Sequence, residues 1–186
     1  MHKMKKFRFS MFIEGRPVEA AYYPVFHFVN GVNCQLWPLY ILADGRLIFG
    51  GEVHSLSSFT KLVEDELVVT VLPDDQRTYV PEVTSFIATN VTNIVSDDDF
   101  LREIPDIVRD LNGQPTTLDR CRDAWQEYLA NPSDVRREQL KAAYEEVPRH
   151  NRLWLGGFEE KDIPIRKVIY GDQWQKDDYE DDATQD

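Results

Sequence analysis

Glu52 and His54 are the residues in this sequence best placed to do acid–base chemistry. They lie two apart in a segment of strand character, and residues two apart in a strand project from one face. A carboxylate beside an imidazole can share a proton or offer two ligands to a metal. Two ligands do not complete a site, and the sequence has no H-x-x-x-H, H-E-x-x-H or C-x-x-C to supply more. His27 lies inside an apolar run, where a hydrogen-bonded core histidine is expected. His150, between Arg149 and Arg152 near a helix end, suits a capping or surface position. No metal and no cofactor is therefore expected.

Nucleophile and nucleotide motifs are missing in the same way. The chain has no G-x-S-x-G, no G-x-x-x-x-G-K-[ST] and no G-x-G-x-x-G, and neither Cys34 nor Cys121 has a nearby histidine in a catalytic arrangement. The acidic clusters Glu64-Asp65-Glu66, Asp74-Asp75 and Asp97-Asp98-Asp99 do not alternate as calcium loops require, and each has a local reason as a helix end, a turn or a helix start. The stretch HNRLWLGGFEEKDIPIRKVIYGD, from His150 to Asp172, raises the question of phosphate binding because of its double glycine. Glu159 and Glu160 directly after the glycines would repel an anion. The expectation is a structural loop. Leu153, Trp154 and Leu155 end a short helix, Gly156-Gly157 turn the chain, and Ile163, Ile165, Val168 and Ile169 pack back onto the body.

What must position these residues is a sheet followed by helices. FRFSMFI alternates, with Phe7, Phe9, Met11 and Ile13 on one face, the period of a half-buried strand. VEAAYYPVFHFV is apolar on both faces, and its Pro24 predicts a bulge or an edge. Asn30-Gly31 and Asp44-Gly45 predict two-residue hairpin turns around a third strand, CQLWPLYIL, with RLIFGGEV as the fourth. A short helix capped by serine interrupts the meander at SLSSFTKLVEDE, before further strands rich in β-branched residues. From Ser96 the pattern turns helical. Pro105 predicts a kink or a split, and Asn131-Pro132 the start of the second arm of an αα-hairpin whose first arm buries Leu118, Cys121, Trp125 and Leu129 against the sheet.

The expected fold class is α+β: an antiparallel sheet of about six strands, then a helical C-terminal part. Residues 1–96 form the sheet region, 97–171 a helical region of the same domain, and 172–186 an acidic disordered tail. Seven acids and one lysine follow Gly171 and carry half of the net charge of −12. Nucleic acid is excluded as a partner because no basic stripe exists to release counterions. No apolar run approaches the length of a membrane helix, and Arg8 and Glu14 break up any secretory leader, so the expected location is cytoplasmic and the two cysteines are free, buried thiols.

The C-terminal third, AAYEEVPRHNRLWLGGFEEKDIPIRKVIYG, resembles a group of uncharacterised bacterial proteins with no assigned function. The resemblance covers about the last seventy ordered residues and implies a bacterial source but no activity. The expectation from the residues is a non-catalytic protein that binds another protein, a basic one given the charge, in an immunity-like or regulatory role. The alternative is a small-ligand binder or enzyme whose pocket on the sheet is lined by Tyr22, Tyr23, His27, Trp37, Tyr40, Glu52 and His54.

Overall fold

The computed structural model describes residues 7–31, 33–156 and 161–171. The tail expected over 172–186, and the acids Glu159 and Glu160, lie outside the described residues. The chain is α+β and forms two compact units, one running to Thr116 and the other from Thr117.

The first unit is built on a long hairpin. Strands β1 (Arg8–Ile13) and β2 (Arg16–Val29) meet at Glu14-Gly15, both with positive φ, as a two-residue primed turn requires. β2 then pairs with β3 (Asn33–Leu42) in unbroken register from Ala20↔Leu42 to Val29↔Asn33. Asn30 and Gly31 do adopt positive φ, but Val29 pairs with Asn33, so this loop is one residue longer than a two-residue turn. The next turn is also longer. Leu42 donates its N–H to the Arg46 carbonyl, and of the pair Asp44-Gly45 only the glycine has positive φ.

The expected fourth strand is two. β4 (Leu47–Phe49) and β5 (Glu52–His54) are separated by Gly50-Gly51, whose φ values of 61° and 83° make a tight turn out of what reads in sequence as one run. Helix α1 (Leu56–Glu64) follows, opened by a capping box in which Ser55 and Ser58 satisfy each other's backbone N–H groups. β6 (Val68–Val69), β7 (Arg77–Val80) and β8 (Thr84–Ile87) bring the strands among the described residues to eight, where about six were expected. All pairings are antiparallel except β3 with β7.

Pro24 makes no bulge, and it sits where β2 is locally an edge, with a strand partner on one side only. It stands directly opposite Pro38 in the β2–β3 register. Tyr22 and Phe28 direct their N–H groups away from β3, to Phe7 and Leu67, so the same alternation turns the proline nitrogens outward. There β1 has ended and β6 has not begun, and no ladder bond is lost.

Helix α2 (Asp97–Leu111) closes this unit. Ser96 caps it, and it runs through Pro105 as one helix rather than splitting there. Its Phe100, Ile104 and Ile107 are buried in one cluster with Tyr23, Leu39 and Phe49 of the sheet and Phe59 of α1, each large side chain worth about 1.5–3 kcal/mol. The first compact unit runs to Thr116 and includes α2, whose apolar face covers the sheet.

The second unit is helical: α3 (Thr117–Ala130), α4 (Asp134–Glu146), α5 (Arg149–Arg152) and α6 (Ile163–Tyr170). The cap of α4 is Ser133, which accepts from Arg136 N–H at 3.3 Å, two residues beyond the expected Asn131. Its core gathers Leu118, Cys121, Leu140, Tyr144 and Ile165. The stripe expected along α3 is buried only in its first half. Trp125 is half-buried and stacks on Tyr128, while Leu129 is 52% exposed. Among the described residues no helix is long and apolar enough to cross a membrane.

Candidate functional site

Strand alternation distributes the seven aromatic and acid–base candidates over two faces of the sheet. Tyr23 and His27 of β2 share a face with Trp37 of β3, since Val25 pairs with Trp37. Leu39↔Phe49 and Phe49↔Glu52 carry that face across to Glu52 and His54. This is the face packed against α1 and α2. Tyr22 and Tyr40, paired directly with each other, point the other way. The seven residues therefore do not line one pocket.

On the helix-covered face, burial governs the chemistry. Tyr23 is 6% exposed, and its hydroxyl is bonded to the buried Glu103 of α2. Desolvation first, then the Glu103 charge and that hydrogen bond, hold the phenol far above its ordinary range, so it remains a neutral donor. The His27 ring packs edge-on to Trp37 at 5.5 Å and to Phe49 at 5.2 Å. Its Nδ1 is buried without a hydrogen-bond partner among the described residues, contrary to the bonded core histidine expected. Burial lowers its pKa and favours the neutral imidazole. Glu52 and His54 do meet, with Oε2 at 4.0 Å from Nε2. The His54 side chain is largely buried and edge-on to Phe59, whereas Glu52 is exposed. One such pair can hold a proton, but among the described residues no group of three or more His, Cys, Asp or Glu side chains could hold a metal ion.

The other face is different in kind. Every position that alternation places there between Phe9 and Ile13, Val18 and Phe28, and Leu36 and Leu42 is apolar or aromatic. Phe7, Phe9, Tyr22 and Tyr40 surround an open depression of about 590 Å³. Phe9 sits edge-on to Tyr40 at 5.7 Å, Tyr22 is 6.3 Å from Tyr40, and Phe7 is 5.9 Å from Phe9 and 71% exposed. Phe7 and Phe9 are absent from the site read in the sequence. Their alternation was visible, but the β1–β2 register that sets them beside Tyr22 was not. A smaller depression of about 320 Å³ lies between Tyr23, Pro24 and Phe26 and the segment around Asn93. The polar groups there serve the backbone: Asn93 accepts from Leu72 N–H at 3.0 Å, and the Thr70 hydroxyl donates to the Val95 carbonyl.

The remaining candidates are structural. Cys34 and Cys121 are free and buried. Burial raises both thiols, and that of Cys121 reaches about 12 although Arg152 and Arg122 oppose the shift, which disfavours the thiolate at both. In the HNRLWLGG stretch a side chain at Gly156 would collide with the Lys161 carbonyl. Asp162 is buried and accepts from the Tyr144 hydroxyl at 2.6 Å, which ties the start of α6 to α4.

Two family models match the chain in succession. Residues 10–115 match one described as Domain of unknown function (DUF7638), and residues 116–186 match one described as Domain of unknown function (DUF7639). The boundary between the matches lies within one residue of the end of the sheet unit. No curated protein and no solved structure matches the chain.

Proposed function

We propose that this chain, which belongs to the DUF7638 family, is a non-catalytic protein that binds another protein through the aromatic face of its sheet. The observation that carries this reading is the depression bounded by Phe7, Phe9, Tyr22 and Tyr40, on a face whose neighbouring described positions in β1, β2 and β3 are apolar. Aromatic rings that are open on one side supply large contact area at small entropic cost and are the usual anchors of protein interfaces. The net charge of −12 selects a basic partner and makes encounter faster at low salt. An immunity-like or regulatory role in a bacterial cytoplasm, where both cysteines stay thiols, is the form this takes.

The test compares the parent with the double variant Tyr22→Ser/Tyr40→Ser. A basic protein retained by the parent at low salt, released as salt rises and not retained by the variant, supports the reading. The competing reading uses Glu52 and His54 for ligand or metal chemistry. It is examined by following the thermal midpoint with divalent metals and a metabolite set. A saturable rise that disappears in His54→Ala would overturn the protein-binding proposal.

A further inference from the structure

The depression between Phe7, Phe9, Tyr22 and Tyr40 is more specific than an apolar patch. Aromatic residues make up 12% of the chain, yet all four residues that bound the depression are aromatic, with no aliphatic side chain among them. A site for a plain apolar group mixes the two. The rings are also inclined to one another rather than stacked. Phe9 and Tyr40 meet at 79° and Tyr22 and Tyr40 at 54°, with centroids 5.7 and 6.3 Å apart. A group seated in that corner can lie within about 6 Å of more than one ring, the range over which an electron-rich ring face attracts a cation.

The acceptors on offer decide which cation. Elsewhere this chain lays its own cations on rings, with Arg152 4.6 Å from the Tyr144 ring and Lys141 5.7 Å from that of Tyr170. There the N–H groups of Arg152 have carbonyls to bond, those of Val147 at 3.0 Å and Glu145 at 3.4 Å. The four side chains around the depression offer no carboxylate and no amide, only two phenol oxygens. A lysine ammonium or a guanidinium buried on these rings would leave N–H groups unbonded, at a cost in free energy. A quaternary ammonium has no N–H to satisfy. It keeps the charge that the rings attract, and its methyl groups bury as apolar surface. The net charge of −12 disfavours an anion in the same place.

We propose that this depression is a cage for a quaternary ammonium group, carried by the partner protein as a trimethylated lysine. The proposal rests on the protein-binding reading and states which group of the partner the site takes. A protein is the source because the depression is open and lies on a broad apolar face, where the residues flanking the modified lysine find contact area.

The experiment follows the ring resonances of Tyr22 and Tyr40 by NMR. The probes are choline and dimethylbutanol, the same shape with a carbon in place of the charged nitrogen. Choline should shift both rings saturably, and the neutral probe should bind roughly 2- to 30-fold more weakly. Phe9→Leu and Tyr40→Leu keep apolar volume but remove a ring. Each should bring choline down towards the neutral probe and leave the neutral probe unchanged. If a variant loses its fold, the discrimination shown by the parent decides. A basic peptide with one trimethylated lysine should then bind more tightly than the same peptide unmodified. Equal affinity for choline and the neutral probe, or no binding of either, overturns the proposal. So does a trimethylated peptide that binds no better than the unmodified one, or a preference for phosphatidylcholine vesicles over the peptide. None of these outcomes touches the protein-binding reading, whose own test is retention of a basic protein by the parent and its loss in Tyr22→Ser/Tyr40→Ser.

Discussion

The two faces of the sheet divide the candidate residues: Tyr23, His27, Trp37, Glu52 and His54 lie on one, Tyr22 and Tyr40 on the other. Tyr23, His27, Trp37 and His54 share the first with Leu39 and Phe49, under α1 and α2. Tyr22 and Tyr40 share the second with Phe9 and Phe7. Successive residues of the same strands thus have opposite roles. Tyr23 and His27 look reactive in sequence, but burial disfavours their charged forms and they serve the core. The face that carries Phe7, Phe9, Tyr22 and Tyr40 is the one on which we propose that a partner docks.

The difference can be broken most forcefully from the covered side. Phe59 of α1 is fully buried, 5.9 Å from Phe49 and 6.2 Å from Phe100. Phe59→Ala should cost about 3–5 kcal/mol in urea unfolding, as for other buried aromatic truncations. A loss below about 1 kcal/mol would mean that α1 does not cover the sheet.

A milder test uses the neighbouring tyrosines. Tyr23→Phe removes a hydroxyl bonded to buried Glu103 and should cost about 1–3 kcal/mol. The covered face should also show a dependence on pH through His27. Its folded pKa is lowered by burial, so the unfolded chain takes up the proton first as pH falls below the ordinary histidine value of 6.5. The His27 contribution is therefore complete above 6.5 and is lost as pH falls through the depressed folded value. His27→Phe should flatten that part of a stability–pH curve, and an unchanged curve would show that His27 is solvated. Smallest of all should be Tyr22→Phe on the open face, within about 0.5 kcal/mol of the parent. A cost equal to that of Tyr23→Phe would erase the distinction between the faces.

Much of the fold was legible in the sequence because it is local. The alternation of FRFSMFI, the serine caps of α1 and α2 and the positive φ at Asn30-Gly31 depend on residues within one turn or one pleat of each other. The Glu52–His54 pair was legible for the same reason. The length of β2 and its apolar character on both faces were likewise visible without a structure.

What only the tertiary structure decided is which local pieces become neighbours. Phe9 meets Tyr40 across β2, although thirty-one positions separate them in the chain. Pro24 is tolerated in a central strand because Pro38 faces it and the flanking strands leave a gap at that point. α2 joins the sheet unit because its apolar stripe matches a sheet face formed by residues 21–49. Asp162 is a surface acid by its sequence context and a buried acceptor by its contact with Tyr144. Each of these depends on register and packing between distant segments, and their free energy exists only once the loops between them have closed.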